Sequence, residues 1–262
     1  MLKMDYPPGH VSIAGSLPSG TAILAVSSRA GSPCHLLSSS KQKRLDVSLL
    51  IETVAVTIAA ILAIKVLATS AISTAGWFIA PGMLVVAALV PTAIRGNQFP
   101  AIGFSDRQIR LTLLVLCRVC VVVFPAVFIG LWLMRFYGFG LPLRPVLPQN
   151  YKWASWIFYQ SMYVAVAEEV FFRGYVQSNI LRLTGPIGFG GRTLQNWISI
   201  VLSAACFAVA HIIVQGQIIS VLTFLPGLVL GWLFVRTRSL LAPILFHGLA
   251  NTCYCLIAAA LA

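Results

Sequence analysis

Acidic residues are scarce in this chain, with six among 262 residues: Asp5, Asp46, Glu52, Asp106, Glu168 and Glu169. Beyond Asp106 only the last two remain, side by side in the apolar run Tyr163-Val-Ala-Val-Ala-Glu168-Glu169-Val-Phe-Phe-Arg173-Gly174-Tyr175. A charge at the centre of a membrane helix costs about 2.5–3.5 kcal/mol on insertion scales, so adjacent carboxylates there need a reason. Glu169 and Arg173 are four apart with the acid first, the favourable order for an ion pair on a helix. Glu168 points roughly 100° away around that helix and lacks the local cation. One carboxylate is thus expected to be neutralised and the other to face the bundle interior. A desolvated carboxylate accepts a proton more readily, which is what a general base must do.

Histidine is as sparse. His10 and His35 lie in a polar N-terminal stretch, and the other two lie in apolar runs. His211 follows Phe207 by four residues, and Asn251 follows His247 by four, so each pair shares a helix face. Each residue alone has a plain structural reading: a lone intramembrane His or Asn serves as a helix–helix hydrogen-bond partner, and Glu169–Arg173 as a structural ion pair. Together they read differently, because polar groups this costly in lipid face one another or a cavity and mark function.

The elements that must position them follow from composition. The chain is 59% apolar and 9% charged, with a mean hydropathy of +0.92, whereas a soluble domain carries about 25% charged residues. Its solvent is therefore a lipid bilayer, and its fold class is all-α, a polytopic transmembrane helix bundle, because an isolated strand leaves its backbone unpaired in lipid. Seven spans are expected, at about 46–68, 72–94, 109–134, 153–180, 196–215, 218–235 and 240–261. Residues 1–44, rich in Ser, Gly, Pro and Ala, form a flexible basic N-terminal tail in this reading. Residues 45–262 form the membrane domain, with the working core at about 150–255. The fifth and sixth spans, joined by Val214-Gln215-Gly216-Gln217, should be a tight antiparallel pair.

The net charge of +12 would suggest nucleic acid in a soluble protein. Here the basic residues fall mostly in loops, where they set orientation, with Lys65 and Arg118 within spans. Lys3, Arg29, Lys41, Lys43, Arg44, Arg95, Arg107, Arg110, Arg173, Arg182, Arg192, Arg236 and Arg238 share one side of a seven-span chain, against Arg135, Arg144 and Lys152 on the other. That asymmetry puts the N-terminus in the cytoplasm and makes the chain a multi-pass integral membrane protein, of the inner membrane if bacterial. Cys117-x-x-Cys120 stands alone in a span and reads as packing.

The pattern Glu168-Glu169-x-x-x-Arg173, then Phe207-x-x-x-His211, then His247-x-x-x-Asn251 resembles the three motifs of the CPBP (CAAX protease and bacteriocin-processing) intramembrane endopeptidases, which include the Rce1-type prenyl-protein proteases. The resemblance covers about residues 150–255. It implies peptide-bond hydrolysis by a glutamate-activated water. Glu168 is then the base, His211 holds or activates the water, His247 and Asn251 donate to the oxyanion, and Glu169, Arg173 and Phe207 give support. Hydrolysis requires such a base within reach of water and donors aimed at the tetrahedral oxygen.

No metal or other cofactor is favoured; if zinc is used, Glu168, His211 and His247 form the His₂Glu set that would hold it. The implied partners are the lipid bilayer and a peptide or protein substrate, membrane-anchored, prenylated or a precursor; nucleic acid is not among them. Two other classes remain: a proton-coupled transporter, since intramembrane Glu and His also relay protons, and a catalytically inactive membrane scaffold. The absence of an inverted-repeat pattern argues against the transporter.

Overall fold

A computed structural model describes residues 33–69, 73–100, 106–139, 153–185 and 191–261. The chain divides into Met1–Gln42 and Lys43–Ala262, and the account below concerns the second unit. Every regular element among the described residues is helical. The elements are α1 (Pro33–Thr69), α2 (Ser73–Ile94), α3 (Asp106–Phe136), α4 (Trp153–Phe158), α5 (Ala165–Glu169), α6 (Ser178–Thr184), α7 (Gly191–Gln215), α8 (Phe224–Thr237) and α9 (Leu241–Leu261).

Helix occupies all seven expected stretches, and five among the described residues are long and apolar enough to cross a membrane: Lys43–Thr69, Gln108–Phe136, Arg192–Gln215, Ile218–Thr237 and Leu241–Ala258. Phe78–Ile94 is a shorter apolar helix. Several helices outrun the apolar windows, α1 and α7 at their starts and α8 at its end. The cause is that hydropathy marks only the lipid-facing length, while backbone hydrogen bonding continues past it.

The fourth stretch is not one regular helix. Residues 153–184 alternate α4, a π-helical segment Tyr159–Val164, α5, a second π-helical segment Val170–Gln177, and α6. Wide turns of this kind are rare and cluster at functional sites; here they flank the five-residue α5 that ends in Glu168 and Glu169. A 3₁₀ segment, Ile218–Thr223, likewise opens the sixth stretch before α8.

Lipid is as apolar as Leu, so burial of apolar area gives these helices little reason to associate; close packing and polar ties do that. Ala165, Ala204, Ala242 and Ala258 are fully buried. The tight α7–α8 pair expected from the short connection is present. At Gly227 on α8, an added Cβ would sit 3.1 Å from Ala204 Cβ and 3.2 Å from Ala204 Cα on α7. Polar ties fasten α1 to the broken helix, where Asn179 Nδ2 donates to Thr53 Oγ1 at 3.1 Å and the Tyr175 hydroxyl to Glu52 Oε1 at 3.4 Å. Glu52 in turn pairs with Arg95 at 2.7 Å.

Two apolar clusters result. One holds Phe171, Phe172, Tyr175 and Phe207 with residues of α1 and α2. The other joins α3, α8 and α9 through Leu116, Leu230, Leu233 and Phe246, with Phe124 and Phe246 stacked at 5.4 Å. Phe207 belongs to the first and Phe246, the neighbour of His247, to the second, so the polar residues lie along the seam between them.

Candidate active site

Glu169, at the end of α5, is fully buried. Its Oε1 accepts from Arg173 Nη1 at 3.0 Å, the expected four-residue pair, and from His247 Nδ1 at 2.7 Å. Arg173 is itself fully buried, which corrects its place among the loop charges; its guanidinium is consumed by the site and cannot set orientation. Its Nη2 donates to the Gly227 carbonyl at 3.2 Å, and its plane lies 4.7 Å over the Phe207 ring. Four elements are thus fastened through one cation: α5, the second π-helical segment, α7 and α8.

Glu168 occupies a different setting. Its side chain keeps 18% exposure, while that of Glu169 keeps none. Of the two carboxylates, Glu168 is therefore the one nearer an accessible surface. Its Oε2 lies 3.6 Å from His247 Nε2, an ion-pair distance longer than a hydrogen bond, and accepts no hydrogen bond among the described residues. The imidazole is thus held between the two acids, Nδ1 on Glu169 and Nε2 towards Glu168. A carboxylate can only accept, so Nδ1 carries a proton.

His211 reaches this group through Phe207. Their rings stand 4.3 Å apart, and Phe207 meets His247 edge-on at 5.9 Å. His211 Nδ1 lies 2.9 Å from the Phe207 carbonyl. That carbonyl can only accept, so Nδ1 donates and a neutral His211 leaves Nε2 as an acceptor. Asn251, one turn beyond His247, donates from Nδ2 to Gln160 Oε1 at 3.5 Å. The structure therefore brings Glu168, Glu169, Arg173, Phe207 and His247 into contact and adds His211 through Phe207. It pairs Asn251 with a residue outside the three motifs.

Two side chains outside the motifs, Gln177 and Gln160, were not singled out from sequence. Gln177 stands four residues beyond Arg173 and donates from Nε2 to the Gly231 carbonyl at 3.1 Å, repeating one turn on what Arg173 does at Gly227. The spacing Glu169-Arg173-Gln177 and the small-x-x-x-small pair Gly227/Gly231 were available signals. Gln160, a polar residue eight before Glu168, was another. Among the described residues no three His, Cys, Asp or Glu side chains are gathered to hold a metal ion; Glu168, His211 and His247, the set named for zinc, do not form such a group.

The arrangement offers a carboxylate oxygen that accepts no hydrogen bond among the described residues, beside an imidazole whose other nitrogen is fixed, together with a second imidazole and, one turn beyond His247, an amide. Groups of these types can serve hydrolysis, as a base, donors and a water-binding acceptor. Comparison with known proteins agrees. The family model for type II CAAX prenyl endopeptidase Rce1-like proteins matches residues 150–253. No curated protein and no solved structure matches the chain. The matched segment holds every motif residue placed above, from Glu168 to Asn251. The family model thus places an Rce1-like domain at residues 150–253 of a chain with five helices, among the described residues, long and apolar enough to cross a membrane.

Proposed function

We propose that the protein hydrolyses a peptide bond in a membrane-associated peptide, prenylated or a precursor tail, using a water activated by Glu168. The observation that carries this reading is Glu168 Oε2, which takes no hydrogen bond from the described residues while standing 3.6 Å from an imidazole nitrogen. Two polar atoms at that separation can both reach one water oxygen at about 2.8 Å.

Glu168 takes a proton from that water as the oxygen attacks the carbonyl carbon. His211 Nε2, an acceptor while Nδ1 serves the Phe207 carbonyl, helps hold the water. The oxyanion that forms accepts from His247 Nε2–H and Asn251 Nδ2–H. Glu168 then passes its proton to the departing amine, so one water and one peptide bond become a carboxylic acid and an amine. With Glu168 and Glu169 ionised, a doubly protonated His247 and Arg173 bring the buried group to zero net charge, the state that costs least in low dielectric. The N-terminus is cytoplasmic in this reading, on the loop asymmetry that remains without Arg173.

The test is cleavage of a library of membrane-anchored peptides by the purified full chain, read by mass spectrometry, with Glu168→Gln beside it and with and without a strong chelator. Wild type is expected to cut, Glu168→Gln to be inactive, and chelator to leave the rate unchanged. Loss of cleavage with chelator and its return with zinc would make the enzyme metal-dependent. Equal behaviour of wild type and Glu168→Gln would remove the base and leave the transporter reading.

A further inference from the structure

Gln160 and Asn251 face each other across two helices that approach unusually closely. On α9, a Cβ added to Gly248 would lie 2.9 Å from Ser161 Cβ and 3.1 Å from Ser161 Cα. Backbone that near leaves no room for any residue larger than glycine. Ser161 and Gln160 both belong to the π-helical segment Tyr159–Val164. The bond from Asn251 Nδ2 to Gln160 Oε1 is the hydrogen bond that the Asn251 side chain makes among the described residues. A primary amide can present either oxygen or nitrogen to a neighbour. In the arrangement seen, Gln160 Oε1 accepts and Asn251 Nδ2 donates, which leaves Nδ2 a second hydrogen for another acceptor.

We infer that Gln160 is a positioning residue: it fixes the Asn251 amide with Nδ2 turned to the reacting centre, so that the second N–H meets the oxyanion. This rests on the reading of Asn251 as an oxyanion donor. Without Gln160 the amide can turn over and present Oδ1, which repels the developing negative charge. The effect belongs to the transition state and not to substrate binding, because the neutral carbonyl gains little from the same bond.

The experiment compares Gln160→Leu, Asn251→Ala and the double variant on the best-cleaved library peptide, with Glu168→Gln as the control for the base. Gln160→Leu is expected to lower kcat by about 10- to 100-fold with KM changed less than about threefold. The double variant is expected to be no slower than Asn251→Ala alone, because both changes remove one donor. A merely structural role would show instead as multiplied losses in the double variant; that result, an effect confined to KM, or an unchanged kcat each overturns the proposal. Should Gln160→Leu fail to accumulate folded, Gln160→Met carries the same comparison. Full kcat in Asn251→Ala would end both the oxyanion reading and this inference, while inactive Glu168→Gln would still show the base.

Discussion

His247 Nδ1 lies 2.7 Å from Glu169 Oε1, and that same oxygen holds Arg173 at 3.0 Å. A single buried carboxylate oxygen thus orients the imidazole and neutralises the guanidinium. Removing Arg173 would leave the Glu169 carboxylate buried without its cation.

That shared oxygen predicts a separable pair of effects. Glu169→Gln should lower kcat by about 10²-fold or more by freeing the imidazole, and should destabilise the fold by about 3–5 kcal/mol because Arg173 is left unpaired. Adding Arg173→Met should restore much of the thermal stability and none of the activity. Thermal unfolding in detergent, run beside the cleavage assay, checks both; joint recovery would show that Glu169 serves the fold alone.

Phe207 touches three functional groups, beneath the Arg173 guanidinium and beside both imidazoles. Phe207→Leu keeps an apolar side chain but loses the ring face, worth about 0.5–2 kcal/mol over a desolvated cation. A lower midpoint of unfolding and a fall in kcat of about tenfold are expected. A rate unchanged in Phe207→Leu would mean that the stack on His211 has no part in holding the water.

The sign of one glycine substitution is diagnostic. Gly to Ala in an open helix interior is favourable by about 1 kcal/mol. At Gly227 the new Cβ meets Ala204 backbone at 3.2 Å, and the Arg173 acceptor sits on the same residue. Gly227→Ala should therefore destabilise by about 1–3 kcal/mol, while the same change at Gly130, an exposed glycine with open space at its Cβ, should show no such loss. Equal effects at Gly227 and Gly130 in thermal unfolding would contradict the close α7–α8 approach.

His211 should be the Nδ1–H tautomer when neutral, because its Nδ1 donates to the Phe207 carbonyl at 2.9 Å. Nitrogen-15 NMR of selectively labelled protein reads this directly, as a protonated-type Nδ1 and a bare-type Nε2. The opposite tautomer would take away the acceptor assigned to the water.

Much of this was legible in the sequence because charge is so expensive in lipid. The positions of Glu168, Glu169, Arg173, His211, His247 and Asn251 stood out against apolar runs, and the four-residue spacing of Glu169 and Arg173 gave their pairing correctly. The expectation that the unpaired Glu168 is the acid left to face the interior did not anticipate that the paired Glu169 lies deeper, because depth depends on the neighbours: Glu169 is enclosed by His247 and Arg173, held in turn by α9 and α8. The irregular turns of residues 153–184 were also hidden, since an apolar run has the same composition in α and π geometry. Gln160 lacked the charge that drew attention elsewhere, and its partner is 91 residues away.

The claim that Glu168 activates water, and does not itself attack the peptide, is tested most directly by one turnover in ¹⁸O-labelled water. The account predicts one ¹⁸O in the new carboxyl group of the peptide product and none in the Glu168 side chain, read by mass spectrometry of the product and of the digested enzyme. Label appearing in Glu168 would indicate an acyl-enzyme, and absence of any labelled product would indicate that this site does not hydrolyse peptides; either result contradicts the account.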